Sequence, residues 1–323
     1  MPGRSTRIIV AMVAAVASVA VCSAVALAAT IIGDNGNNNL TGTNGADLIL
    51  ARGGNDTVNS LAGPDRVFAG AADDTVNGGL GRDRIEGNDG NDTLNGGLGN
   101  DRVRGGRGND NISGDRGWDR LFGGDGNDVV NGYRGNDYIV GGNGDDYVRG
   151  DVPGNGIGGA DRVFGGPGND TVIGGDGRDR LHGGDGNDQS FGNNGKDLMS
   201  GGKGDDTQHG GDGNDRIFAN LGRDTSYGGN GNDDLWALAR GDVTAPGDPL
   251  GDTLFGENGN DRFHVRDGEV DNVDCGDGND VVIADRFDVV AANCERVFRR
   301  DPAPREDRSE NSTQSPHEDH GTS

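Results

Sequence analysis

Aspartate recurs every nine residues, at Asp47, Asp56, Asp65, Asp74, Asp83, Asp92, Asp101, Asp110, Asp119, Asp128, Asp137 and Asp146. Around each one the unit reads Gly-Gly-x-Gly-x-Asp-x-U-x, with U apolar. Residues 33–149 hold 13 such units without a gap, the first with Asn38 in the aspartate place. Six residues, 150–155 (GDVPGN), interrupt the run. Residues 156–236 then hold nine more units, with Asp161, Asp170, Asp179, Asp188, Asp197, Asp206, Asp215, Asp224 and Asp233 in phase. Looser units follow around Asp242, Asp252, Asp261 and Asp280. A unit this short cannot bury its apolar side chain alone, so it must stack on copies of itself.

A second period sharpens the architecture. The x-U-x triplet reads as a short strand whose middle side chain points inward. Its outer residues alternate: Thr57-Val58-Asn59, Thr75-Val76-Asn77 and Thr93-Leu94-Asn95 against Arg66-Val67-Phe68, Arg84-Ile85-Glu86, Arg102-Val103-Arg104 and Arg120-Leu121-Phe122. Like returns to like every 18 residues, so one coil is strand, turn, strand, turn, with two different sheets. The alternation keeps its phase after the interruption (Arg162, Thr171, Arg180), which predicts a looped-out bulge there and no domain boundary.

Composition argues the other way. The net charge is -25, hydrophobic residues are 31%, aromatics 5%, and 65 positions are glycine. Such a chain cannot offset the entropy of ordering with apolar burial alone. Its acidity excludes nucleic acid and anionic membranes as partners and attracts cations. It is therefore an unfolded polyanion or a fold held together by metal.

The repeat supplies the chemistry for the second option. Glycines at the first, second and fourth places permit the positive φ of a tight turn. The aspartate adds a hard anionic oxygen. Carbonyls with carboxylates, and no thiolate or imidazole, suit Ca²⁺ over zinc or copper. The copies GGDGNDVVN (123–131), GGNGDDYVR (141–149), GGPGNDTVI (165–173) and GGDGNDRIF (210–218) resemble the hemolysin-type, or RTX, calcium-binding nonapeptide repeat, and the likeness covers roughly residues 33–283.

The resemblance implies an all-β, right-handed parallel β-roll, with each calcium between stacked turns. On this sequence the implied metal ligands are Asp83, Asp92, Asp101, Asp110, Asp119, Asp128, Asp137, Asp146, Asp161, Asp170, Asp179, Asp188, Asp197, Asp206, Asp215, Asp224, Asp233, Asp261 and Asp280. The turn backbone is implied at Gly123, Gly124, Gly126, Gly141, Gly142, Gly144, Gly165, Gly166, Gly168, Gly210, Gly211 and Gly213. Many calcium ions would be the only cofactor, at affinities of roughly 10⁻⁴–10⁻³ M, and binding would be linked to folding.

Several places depart from the pattern. The turns SLAGPD (60–65) and AGAADD (69–74) lack some glycines, which puts their calcium sites in doubt. Tyr133 occupies a glycine place and should weaken its turn. The inward rank becomes polar at Ser190, Gln208 and Ser226, on one sheet, which reads as a loosened segment or a hydrogen-bonded ladder, with the loosened segment favoured. The Thr-x-Asn ranks read as solvated strand polarity rather than an ice-binding or polysaccharide-binding lattice. The Arg66, Arg84, Arg102, Arg120 stack reads as charge balance for nearby aspartates, and His182, His209 and His264 as isolated, solvated side chains. No zinc helix, nucleophile elbow or phosphate loop is present, so no enzyme is expected.

The ends complete the division. Arg4 and Arg7, the apolar run 8–21 and ALAA (26–29) predict a secretory signal peptide over residues 1–29, removing Cys22, and hence a secreted, extracellular chain free of the membrane after cleavage. Residues 30–264 are the repeat roll, with the insert 150–155 and an irregular stretch 237–250. Residues 265–298 are a C-terminal repeat and cap pinned by Cys275 and Cys294, a bridge worth about 3 kcal/mol by loop entropy. Residues 299–323 are expected to be a disordered tail. Three purposes compete: a structural or calcium-responsive extracellular protein, a calcium-dependent adhesin or matrix component with a cell-surface or polysaccharide partner, and an enzyme.

Overall fold

A computed structural model describes residues 28–152, 154, 158–237 and 251–300. The signal peptide apart from its last two residues, Cys22, the irregular stretch beyond Ala237 with Asp242, and the tail beyond Arg300 lie outside the described residues. Among the described residues every regular element is a strand and no helix is long and apolar enough to cross a membrane. The fold is a parallel β-solenoid, divided into two compact units, one ending at Asn143 and one beginning at Gly144.

In the first unit successive strands alternate between two parallel sheets. Strands such as Arg66–Ala71, Arg84–Asp89, Arg102–Arg107, Arg120–Asp125 and Tyr138–Asn143 stack in one sheet. Thr75–Asn77, Thr93–Leu98, Asn111–Arg116 and Val129–Arg134 stack in the other. Register places like on like 18 residues apart: Val76 on Leu94, Ile112 on Val130, Leu121 on Ile139. The period-two pleat sends one apolar side chain per strand inward. The core is therefore two single-file ranks, Val67, Ile85, Val103, Leu121 and Ile139 against Val58, Val76, Leu94, Ile112 and Val130, all at most 1% exposed.

The second unit repeats this scheme and shows how the insertion is absorbed. Val148 pairs with Val172, 24 residues on, while Val163 pairs with Leu181 at the usual 18. Gly150 donates to Ile173 O and Asp151 to Gly174 O, so these two residues fill the first two places of the turn before Asp161. Gly158 lies against Asp176, in the third place. The strand register on either side of the insertion is intact, since loop length costs little free energy.

Residues 265–298 extend both sheets. Val281–Ala284 pairs with Arg262–Val265 and Arg296–Arg299, and Asn272–Asp274 pairs with Thr253–Gly259 and Val289–Val290. Here the core thickens: Phe263, Val265, Val273, Cys275, Val282 and Ala284 are buried together. A Cys275–Cys294 disulfide, with Cα atoms 5.3 Å apart, closes this end.

The polar inward rank does not loosen the chain. Ser190, Gln208 and Ser226 stay in strand register and are at most 2% exposed. Ser226 Oγ donates to Gln208 Oε1 at 3.1 Å. The next residue of each strand explains the order. Phe191, His209, Tyr227 and Phe255 form a continuous outer stack, with centroids 5.1, 4.5 and 4.9 Å apart and near-parallel rings. Each stacked pair contributes about 0.5–1.5 kcal/mol beyond its buried area, offsetting the missing inner apolar rank. The histidines are accordingly neither isolated nor solvated. His182 packs edge-on against Phe164, and His264 stacks on Trp236 at 3.6 Å and meets Asp234 through Nε2 at 3.0 Å.

The turns hold a left-handed backbone whether or not glycine is present. Gly135 has φ 137°, and a Cβ there would overlap the Gly117 carbonyl oxygen of the coil below. Tyr133, in the same turn, holds φ 73° and stays in register with Asp115. Gly135→Ala should therefore destabilise the calcium-loaded protein by about 3 kcal/mol. Tyr133→Gly, which relieves left-handed strain, should stabilise it by about 1 kcal/mol. Urea denaturation of both variants checks the opposite signs.

Candidate metal centre

The aspartate side chains turn inward at the ends of the strands, where they form continuous columns. Each aspartate N–H donates to Oδ1 of the aspartate one coil on. In the first unit one column runs Asp47, Asp65, Asp83, Asp101, Asp119, Asp137, and the other Asp56, Asp74, Asp92, Asp110, Asp128, at 2.7–2.8 Å per step. In the second unit they run Asp161, Asp179, Asp197, Asp215, Asp233, Asp261, Asp280 and Asp146, Asp170, Asp188, Asp206, Asp224, Asp252, Asp271. All are buried.

At Asp47 the second oxygen is also bonded, Oδ2 accepting from Thr43 N–H at 2.6 Å; further along the columns many aspartates have only one oxygen satisfied. Oδ2 of Asp83, Asp92, Asp101, Asp110, Asp119, Asp170, Asp179, Asp188, Asp197, Asp206, Asp215, Asp233, Asp261 and Asp280 is buried and has no hydrogen-bond partner. A carboxylate oxygen in that state costs several kcal/mol unless a cation or a proton compensates it.

The surroundings fit a cation with hard oxygen ligands. Asp119 Oδ2 and the carbonyl oxygen of Gly132 converge on Gly114, where a Cβ would lie 2.5 and 2.9 Å from them. The same pair recurs at Gly78, between the Gly96 carbonyl and Asp83 Oδ2. Among the copies singled out by sequence, Gly123, Gly165 and Gly210 pack against Oδ2 of their own aspartate and the carbonyl of the next coil, and Gly124, Gly126, Gly142, Gly144, Gly166, Gly168, Gly211 and Gly213 hold positive φ. The donors are carboxylate and carbonyl oxygens from successive coils, the set Ca²⁺ prefers. The aspartates would supply charge and the turn carbonyls the remaining coordination.

Electrostatics points the same way. Burial, reinforced by the aspartates above and below, pushes the Asp83 carboxyl up to about 7 against the Asp65 N–H bond that lowers it. Burial likewise raises Asp119 and Asp188 to about 8. Asp119→Asn keeps an acceptor for the Asp101 N–H and removes one charge. It should cost the calcium-loaded fold about 2 kcal/mol yet stabilise the calcium-free fold, which no longer has to take up a proton at this carboxyl. Denaturation with saturating calcium, and without calcium at pH 5, reads the two signs.

The first turns keep the backbone of the later ones. Leu61 (φ 73°) and Ala72 (φ 80°) adopt the turn without glycine, and Asp56, Asp65 and Asp74 carry the same orphaned Oδ2 as their neighbours. Sequence reasoning passed over these three because it weighed glycine above phase, although the nine-residue spacing already contained them. The arginine stack also differs from expectation. Arg66, Arg84, Arg102 and Arg120 lie side by side. Arg84 pairs with Glu86 at 2.6 Å, and Arg102 and Arg104 lie over the Phe122 ring, because the turn carboxylates face inward, away from them.

Comparison with known families agrees with this geometry. The family model described as RTX calcium-binding nonapeptide repeat (4 copies) matches residues 32–67, 52–85, 68–103, 95–130, 122–152, 155–189, 191–226, 209–235 and 247–269, most of the chain. A search of curated proteins found no match.

Proposed function

Because this chain belongs to the RTX calcium-binding nonapeptide repeat family, we propose that it is an exported, non-enzymatic protein in which calcium binding and folding are one event. Buried Oδ2 atoms without a hydrogen-bond partner, such as those of Asp83, Asp101, Asp119, Asp179, Asp197 and Asp215, carry this reading. Metal between turns compensates them and ties coil to coil, doing what a thick apolar core does elsewhere. Export is supported by the Cys275–Cys294 disulfide, which persists in oxidising compartments, and by the signal-like residues 1–29. Calorimetric titration tests it: several Ca²⁺ ions per chain should bind cooperatively, with Mg²⁺ unable to replace them. Binding of one ion or none would refute it.

One observation favours a second reading, a calcium-dependent adhesin or matrix component. In the second unit a trough of about 640 Å³ runs over successive coils, lined by Arg162, Arg178, Arg180, Lys196, Arg216 and Arg262 and by Asp161, Asp179, Asp197, Asp215, Asp233 and Asp234. With calcium neutralising the column aspartates, the remaining row of cations suits an extended acidic polysaccharide. Salt-sensitive retention on immobilised polyuronate, lost in Arg180→Ala with Lys196→Ala, would support it, and no retention at low salt would dismiss it.

A further inference from the structure

The turn before Asp271 differs in its chemistry from the nonapeptide turns. It reads Arg266-Asp267-Gly268-Glu269-Val270-Asp271, so carboxylates stand at the second and fourth places, where the repeat carries glycine. Gly268, at φ 112°, lets the chain reverse between them. All three acids are buried: Asp267 is 5% exposed, Glu269 1% and Asp271 0%. One carboxylate oxygen from each lies within 4.8 Å of the other two.

The hydrogen bonds leave a gap here. Asp271 Oδ1 accepts from Asp252 N–H at 2.8 Å, and Asp267 Oδ1 accepts from Glu269 N–H at 3.0 Å. Asp271 Oδ2 is buried with no hydrogen-bond partner. Asp252 Oδ2, next along the column, is likewise buried and unpartnered.

We propose that Asp267, Glu269 and Asp271 form a calcium site distinct from the repeat turns, built from side-chain carboxylates. Three hard anionic oxygens in one turn suit Ca²⁺, which accepts six to eight ligands and tolerates carboxylates in either denticity, better than Mg²⁺, which demands a near-ideal octahedron. Affinity rises with the number of charged ligands. A turn offering three carboxylates therefore fills at lower calcium than turns offering one each. The strand that follows, Asn272–Asp274, leads directly to Cys275, so this ion and the disulfide pin the same segment.

The inference rests on the calcium reading of the chain but on none of the repeat turns, and one experiment separates the two. Crystals of the calcium-loaded protein, soaked in Yb³⁺, a calcium surrogate with strong anomalous scattering, should show a peak among the three carboxylates as well as in the repeat turns. Peaks in the repeat turns with none here would overturn this site alone, and peaks at neither place would overturn both readings. In solution, Glu269→Gln should weaken the tightest calcium-binding event about tenfold or more and leave the cooperative repeat class in place. An unchanged first event would overturn the proposal. Should the variant not fold, the wild-type crystal decides.

Discussion

Chelating calcium at neutral pH should convert the folded solenoid into an expanded polyanion, with its hydrodynamic radius rising roughly twofold. The reason lies in what remains once the metal is gone. Each coil contributes one inward apolar side chain per strand, such as Leu121 or Val130, and such thin ranks cannot offset the cost of ordering the turns. The aspartate columns then add buried like charges one coil apart. Dynamic light scattering in chelator, followed by calcium return, measures the change. The expansion should reverse on adding Ca²⁺ and not on adding Mg²⁺. A radius unchanged by chelation would show that packing alone suffices.

A second large effect should appear without any metal. Lowering the pH of calcium-free protein from about 8 toward 4 should restore much of the β-sheet signal. In the fold, burial raises Asp92 and Asp101 to about 6, Asp83 and Asp110 to about 7, and Asp119 and Asp188 to about 8. Unfolded aspartate titrates near 3.9. Between those limits the folded chain binds more protons than the unfolded one, so its stability rises as pH falls. The gain ends below about 4, where both states are protonated. Protons thus stand in for calcium, and calcium affinity should fall over the same window. Circular dichroism of metal-stripped protein across this range checks the sign. A signal that stays flat or declines on acidification would contradict the carboxylate account.

Much of this was legible in the sequence because period is read from spacing alone. The nine-residue phase located the aspartates, and the 18-residue alternation assigned Val130 and Ile139 to opposite sheets, as their strand partners show. What escaped was cooperative between coils. Ser190, Gln208 and Ser226 suggested loosening because each was judged by its own polarity, yet the residues beside them, Phe191, His209 and Tyr227, also recur at 18 and stack. Leu61 and Ala72 cast doubt on their turns because a local glycine rule was applied where the stacked neighbours hold the backbone left-handed. The Asp267, Glu269, Asp271 cluster was passed over because its turn lacks the glycine signature, though its aspartate continues the column from Asp252.

The central claim, that calcium compensates the buried carboxylates and thereby folds the chain, is tested most directly by recording circular dichroism and bound calcium along one titration at pH 7.5. The predicted result is no β-sheet signal in chelator, and binding and folding curves that superimpose as the turns fill. A chain already fully β-structured in chelator, or one that binds its calcium with no change in structure, would contradict it.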